Sequence, residues 1–224
     1  MNRRGLAMAA IAGAMLLSGP AGAARPPDTW DGLVKVDSKR LDLVYLQPGA
    51  DFRGYTKVML DPTEVAFHKN WQREHNLDSG RLAARVSNRD VEEAIAKGVA
   101  ASNDIFADAW GKSGYTVVSV PGPDVLRVKT GGVNIWVNAP DMPTAGSSYS
   151  FAPEAGSATF FVEARDSTTG ALLGRAVDQR YAGDAGPNWR TSVTNRGDFR
   201  ELVGNWARDG VRGINELKTL SPIR

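Results

Sequence analysis

The chain has 224 residues, no cysteine and a formal net charge of +2, from 27 lysines and arginines against 25 acids. The excess is Arg3 and Arg4: residues 1–23 hold no acid, so residues 24–224 carry 25 charges of each sign and are formally neutral. That balance argues against nucleic-acid binding, which draws on surplus cations to neutralise phosphates. The lack of cysteine excludes disulfides, thiolate metal sites and thiol catalysis.

Arg3-Arg4, the apolar stretch Leu6 to Leu17 and the small-residue triplet Ala21-Gly22-Ala23 form the three parts of an export signal. The apolar stretch is too short to span a bilayer stably. Residues 1–23 therefore read as a cleaved signal peptide, with the cut between Ala23 and Ala24 and the mature protein working outside the cytoplasm. Leu17-Ser18-Gly19 match the first three positions of a bacterial lipobox, but Pro20 stands where the lipid-bearing cysteine would be. Membrane association is then expected only through a partner.

Residues 24–40 are polar and proline-containing and read as an extended arm, and residues 41–224 as a single domain large enough to bury a core. Leu41 to Leu46 is the first strand candidate, followed by a Pro48-Gly49 turn. Tyr55 to Leu60 is the second; Asp61-Pro62 breaks it before extended structure resumes from Thr63 to Phe67. His68 to Arg85 is polar and reads as a short helix and a loop.

Two long helices stand out. Ser87 offers an N-cap with Asp90 three residues on. Val91, Ile95, Val99, Ser102, Ile105, Phe106, Ala109 and Trp110 then share one face until Gly114. The second helix starts near Thr194 or Asn195, with Phe199, Leu202, Val203, Trp206, Gly210, Ile214 and Leu217 on one side, an expected Arg212–Glu216 pair on the other, and Pro222 closing it.

Between the helices the chain reads as strands: Tyr115 to Val120, Val125 to Val128 with Val133 to Val137, Ala158 to Arg165 and Ala171 to Tyr181. Pro121-Gly122-Pro123-Asp124 and Asp166 to Gly170 are turns, the second closing a hairpin. Gly131-Gly132 marks a bulge. Asp141 to Gly156 is a loop. The architecture expected is α+β: a two-layer α/β sandwich with a mixed sheet of five to six strands and two long amphipathic helices on one face.

Four ordered segments carry a resemblance. They are Val58-Met59-Leu60-Asp61-Pro62-Thr63-Glu64-Val65, Pro121-Gly122-Pro123-Asp124-Val125-Leu126-Arg127, Gly156-Ser157-Ala158 leading to Glu163 through Gly170, and the helix holding Trp206. Together they resemble DUF3313, a proteobacterial family of cell-envelope lipoproteins of unknown function. The resemblance covers nearly all of the mature chain and implies a periplasmic protein of a Gram-negative bacterium. It carries over no catalytic residue, and the chain departs from the lipoprotein pattern at Pro20.

Candidate chemistry is sparse. His68 and His75, with Glu64, Glu74 and Asp78 nearby, hold zinc-ligating residue types at a spacing wider than metal motifs use, and solvated histidines are the simpler reading. Gly146-Ser147-Ser148-Tyr149-Ser150 lacks the second glycine of a nucleophile elbow. No cofactor or metal site is expected, and the protein is read as a non-enzyme. Glu163, Arg165, Arg175 and Asp178 read as cross-strand pairs on a wet sheet face.

Of the six tryptophans, Trp110 and Trp206 fall on helix core faces and Trp136 in a strand. Trp30, Trp71 and Trp189 fall in polar connections. Those three either staple loops to the domain or present indoles to a glycan or partner. The function expected is a non-enzymatic protein-interaction module with an envelope partner, acting through a sheet edge or the hairpin. The alternative is a periplasmic small-ligand or glycan binder that uses the loop tryptophans.

Overall fold

The computed structural model describes residues 25–78, 85–138, 150–152, 156–183, 188–190 and 192–224, and at 150–152, 188–190 and 192–195 the backbone alone. The export signal, with Ala23 and Ala24, and most of the 141–156 loop lie outside the described residues. In chain order the elements are β1 (Thr29–Trp30), β2 (Leu33–Val36), β3 (Leu43–Leu46), β4 (Lys57–Leu60), β5 (Glu64–Phe67), α1 (Trp71–Asp78) and α2 (Asn88–Lys112). They continue with β6 (Thr116–Val117), β7 (Val125–Val137), β8 (Ser150–Ala152), β9 (Gly156–Asp166), β10 (Leu172–Ala182), β11 (Asn188–Arg190) and α3 (Ser192–Leu220).

The fold is α+β with a mixed sheet of nine strands in the order β1-β2-β3-β10-β9-β7-β4-β6, where β5 also pairs with β7; β8 and β11 form a separate two-stranded sheet. This corrects the expected five to six strands. Two of the extra strands come from the expected arm, where β1 and β2 pair antiparallel, and another is β5, the extended stretch after Pro62, which joins the sheet through β7. Their turn, Asp31-Gly32, has φ of 52° and 82°, the double left-handed conformation that matches strand twist in a two-residue hairpin. Strands of two and four residues are too short to show alternation in the sequence.

The 13-residue β7 organises the middle of the sheet. On one side it pairs antiparallel with β9 along its length; on the other it pairs parallel first with β4, through Val125–Val128, and then with β5, through Gly131–Ile135. Pro62 separates β4 from β5, because proline offers no N–H to continue the ladder. The irregularity expected at Gly131-Gly132 falls slightly later, between Val133 and Trp136, with Asn134 at φ 52°. Gly131 answers a different need: a Cβ there would lie 2.1 Å from the Phe161 ring across the ladder.

Helix α2 begins as its sequence indicates. The Ser87 side chain accepts from the Asp90 N–H while Asp90 accepts from the Ser87 N–H, and Gly114, at φ 85°, follows its end. Helices α2 and α3 pack on one sheet face. Phe106, Trp110, Leu202, Trp206, Ala207 and Val211 join Leu126, Val128, Ala158, Phe160 and Ala164 in one core. At its centre Phe160 stacks on Phe106 at 5.9 Å and on Trp206 at 5.1 Å. Glu216 does not pair with Arg212; it reaches across to Arg40 on the connection before β3. Among the described residues no helix is long and apolar enough to cross a membrane.

Candidate binding site

The three tryptophans expected on polar connections meet different fates. Trp71, at the start of α1, is 2% exposed. Its ring stacks on Phe67 at 4.6 Å and on His75 at 5.6 Å, and its Nε1–H donates to the Val137 carbonyl. Burial and that bond make it the staple that fixes α1 to the end of β7. Trp30 is 38% exposed and covers the Arg175 guanidinium at 4.2 Å from the ring centre, with its edge against Tyr45. Trp189 lies in β11, opposite Phe151 of β8. Trp110 and Trp206 are both core residues, as expected.

His68 faces Trp136 at 5.7 Å while His75 stacks on Trp71, so aromatic contacts account for both rings. Among the described residues, no three metal-ligating side chains come together. Gly146 to Tyr149 lie outside the described residues.

The four charged residues of the β9–β10 hairpin separate onto two faces. Glu163, Arg165 and Arg175 do form a network on the side away from the helices. Glu163 accepts from Arg165 at 2.8 Å and from Arg175 at 2.6 Å, and Arg175 continues to Asp31 at 2.8 Å. Burial penalises the Glu163 carboxylate, but the two guanidinium groups outweigh it and hold the carboxyl below its usual range. Arg127–Asp61 and Lys129–Glu64 extend this face. Asp178 does not belong to it. One residue out of phase along β10, it is buried under α3, where its Oδ2 accepts from Trp206 Nε1 at 2.7 Å and from Arg180 Nε at 2.7 Å, and its Oδ1 from the Asp42 N–H at 3.1 Å.

At the turn of that hairpin, Asp166 accepts from the Thr168 and Thr169 N–H groups and from the Tyr55 hydroxyl at 2.8 Å. Those bonds depress the Asp166 carboxyl, the Thr169 backbone first, while burial and then the Asp166 bond push the Tyr55 hydroxyl up. The effect is a locked turn, since each polar group is spent on holding its neighbour.

Two hollows lie between the helices and the sheet. The larger, ≈ 1300 Å³, is bounded by Leu41, Val44, Phe52, Trp110, Leu217 and Ile223. The chain's own C-terminal segment forms part of its wall: Ile223 exchanges backbone bonds with Gly49 and Ala50, and Ser221 accepts from the Phe52 N–H. Part of its charged rim is paired, Arg40 with Glu216 and Asp209 with Arg180.

The second hollow, ≈ 730 Å³, is a crevice between the N-terminal parts of α2 and α3 and strands β5 and β7. Val65, Phe67, Val91, Ile105, Ile135 and Val203 give it an apolar wall, with Trp71 and Trp206 at its margins. Small residues keep it open. Gly98 lets α2 approach β5, since a Cβ there would sit 3.3 Å from Val65 Cγ1, whereas a Cβ on Gly132 would meet nothing nearer than Ile135 Cδ1 at 3.9 Å. The rim carries Asp90, Glu93, Lys97, Arg196 and Arg200. Asp90 is held in the helix cap and Glu93 by Arg89 at 3.0 Å, whereas Arg200 is exposed and has no ion-pair partner among the described residues.

The sequence does not display this crevice, because apolar spacing marks one face of each helix without telling a filled face from an open one. The available signal was Ala94, Gly98 and Ala101 at helical spacing on α2 together with Gly132 in a strand.

The chain is similar to several solved structures. A PelC dodecamer from Paraburkholderia phytofirmans is 10% identical, with a TM-score of 0.36 over 74% of this chain and 96% of that one. Protein XCC0632 from Xanthomonas campestris, of the DUF330 family, is 9% identical, with a TM-score of 0.40 over 78% and 91%. A Helicobacter pylori protein described as a neuraminyllactose-binding hemagglutinin homologue is 8% identical, with a TM-score of 0.33 over 75% and 95%. No curated protein matches the chain. The family model for proteins of unknown function DUF3313 matches residues 27–210, and the chain belongs to that family.

Proposed function

We propose that this protein is a non-catalytic binding module of the bacterial cell envelope, exported on residues 1–23, which takes a small apolar ligand in the crevice between α2, α3 and the sheet. The crevice itself carries this reading. At ≈ 730 Å³, with an apolar wall and its charged groups at the rim, it has the size and chemistry of ligand sites, roughly 300–1,000 Å³. The polar groups nearest its wall serve the fold, since Asp90 caps α2 and the Thr63 hydroxyl bonds that of Thr130 at 3.0 Å. That argues for binding over catalysis.

The test is titration with N-phenyl-1-naphthylamine, an uncharged apolar probe whose emission rises in apolar surroundings. Saturable binding with quenching of tryptophan emission, weakened by Gly132→Leu, is the expected result. Absence of saturable binding overturns the reading.

A protein partner at a sheet edge is the second reading, favoured by one observation. In the two-residue edge strand β6 and just after it, Val117 is 41% and Val120 65% exposed on a run of β-forming residues. In-cell cross-linking checks it. A discrete adduct lost with Val117→Lys supports an edge partner, and an adduct indifferent to that change excludes this edge.

A further inference from the structure

We infer that the crevice accommodates an unesterified long-chain fatty acid, its alkyl chain against the apolar wall and its carboxylate beside Arg200 and Lys97. The inference rests on the small-ligand reading and adds the class of ligand. Three observations lead to it, from length, volume and charge.

On α2 the lining runs from Asp90 to Phe106. At about 1.5 Å per residue that wall is roughly 24 Å long. One acyl chain occupies half of a bilayer's hydrocarbon core, about 15 Å, so an extended chain fits along it.

Volume limits the number of chains. A methylene takes about as much room as a water molecule, ≈ 30 Å³, so a chain of about 16 carbons needs about 500 Å³. One chain fits in ≈ 730 Å³ and two do not, which favours a fatty acid over a two-chain phospholipid. The open space at Gly132 lies within this volume.

Charge selects the head. The rim carries two acids, Asp90 in the Ser87 cap and Glu93 at Arg89, against three cations, Lys97, Arg196 and Arg200; Lys97 stands 4.0 Å from Glu93 and Arg200 has no ion-pair partner among the described residues. The rim thus offers positive charge to an incoming anion, and the apolar wall accepts what the anion is attached to.

The experiment is displacement of cis-parinaric acid, a fluorescent fatty acid, from the full mature chain by palmitate and by palmityl alcohol. The expected result is saturable binding of one equivalent with energy transfer from tryptophan. Gly132→Leu or, on the opposite wall, Ala94→Phe should weaken it about tenfold or more by filling the crevice. Arg200→Glu should weaken palmitate about fivefold and leave palmityl alcohol unchanged, since a partly exposed ion pair contributes that much.

If N-phenyl-1-naphthylamine binds in the crevice but palmitate and palmityl alcohol compete equally in wild type and Arg200→Glu, the fatty-acid assignment fails and the small-ligand reading survives. If neither probe saturates, both fail. Parinaric acid binding that persists in both crevice-filling variants places the site elsewhere and overturns the inference. So does recovery of intact two-chain lipid, by mass spectrometry, after incubation with phosphatidylglycerol vesicles.

Discussion

Arg175 and Asp178 sit three residues apart on β10 and face opposite ways, and the contrast between them separates two kinds of charge in this protein. Asp178 is buried under α3 and is satisfied by donors from three elements: the Trp206 indole, the Asp42 backbone and Arg180. Arg175 lies on the face without helices, between Glu163 and Asp31 and beneath Trp30. A buried carboxylate left without its donors has no water to replace them, whereas the Arg175 network, though mostly covered at Arg175 and Glu163, opens to solvent at Asp31, which is 60% exposed and can take up part of a lost contact. The helix-covered face should therefore be the more sensitive to substitution of the two.

The largest effect should come from Trp206→Ala. It removes a core side chain stacked on Phe160 and also strips Asp178 of a donor, so equilibrium unfolding should register a loss of about 3–5 kcal/mol. A change below about 1 kcal/mol would mean that the indole is not a core element.

Asp178→Ala should follow, at about 1–3 kcal/mol, because it orphans the Trp206 and Asp42 N–H groups. Asp178→Asn keeps an acceptor at the site and should cost less. If alanine and asparagine behave alike in urea denaturation, the hydrogen bonds to this side chain contribute little.

On the open face, Glu163→Gln should cost about 1–2 kcal/mol at neutral pH, since the Glu163 and Arg175 side chains are only 15% and 12% exposed and two guanidinium groups lose their charged acceptor, while glutamine keeps a neutral one. Its pH dependence gives the sharper test. Burial opposes the charge on Glu163 but Arg165 and Arg175 prevail, so the folded carboxyl titrates below its ordinary value of 4.5. Its contribution is then present above that value and disappears as the pH falls through the depressed folded value, because the unfolded chain binds the proton first. Stability of the wild type measured from pH 7 downward should fall more steeply below about pH 4.5 than that of Glu163→Gln. Parallel curves would show that the network does not lower this carboxyl.

The smallest expected effect is none at all. His68 and His75 face Trp136 and Trp71, so the melting temperature should be the same with and without EDTA. A fall of several degrees would point to a metal at these residues.

Much of the fold is legible in the chain because its signals are local. The Ser87–Asp90 cap, Gly114 and the apolar spacing of Phe106 and Trp110 delimit α2, and the Asp166 to Gly170 turn predicts the β9–β10 hairpin. The candidate site is scarcely legible. Glu163, Arg165, Arg175 and Asp178 look alike as charged hairpin residues; alternation sets Asp178 opposite to Arg175, but packing decides which of the two faces the helices cover, and the register beyond the shift between Leu172 and Gly174 decides that Arg175 meets Glu163. Trp71 reads as a loop residue because its neighbours are polar, yet Phe67 and Val137 bury it from other strands. The crevice is likewise defined by what α2 and α3 leave uncovered on β5 and β7.

The sequence by itself determined the helix limits, the main strands, the placement of Trp110 and Trp206 in the core and the absence of cysteine chemistry, since capping, periodicity and composition act over a few neighbouring residues. Only the tertiary structure decided the nine-stranded order, the burial of Asp178 and Trp71, and the space in front of Gly132. Those depend on distances between residues far apart in the chain, which packing sets and no local pattern records.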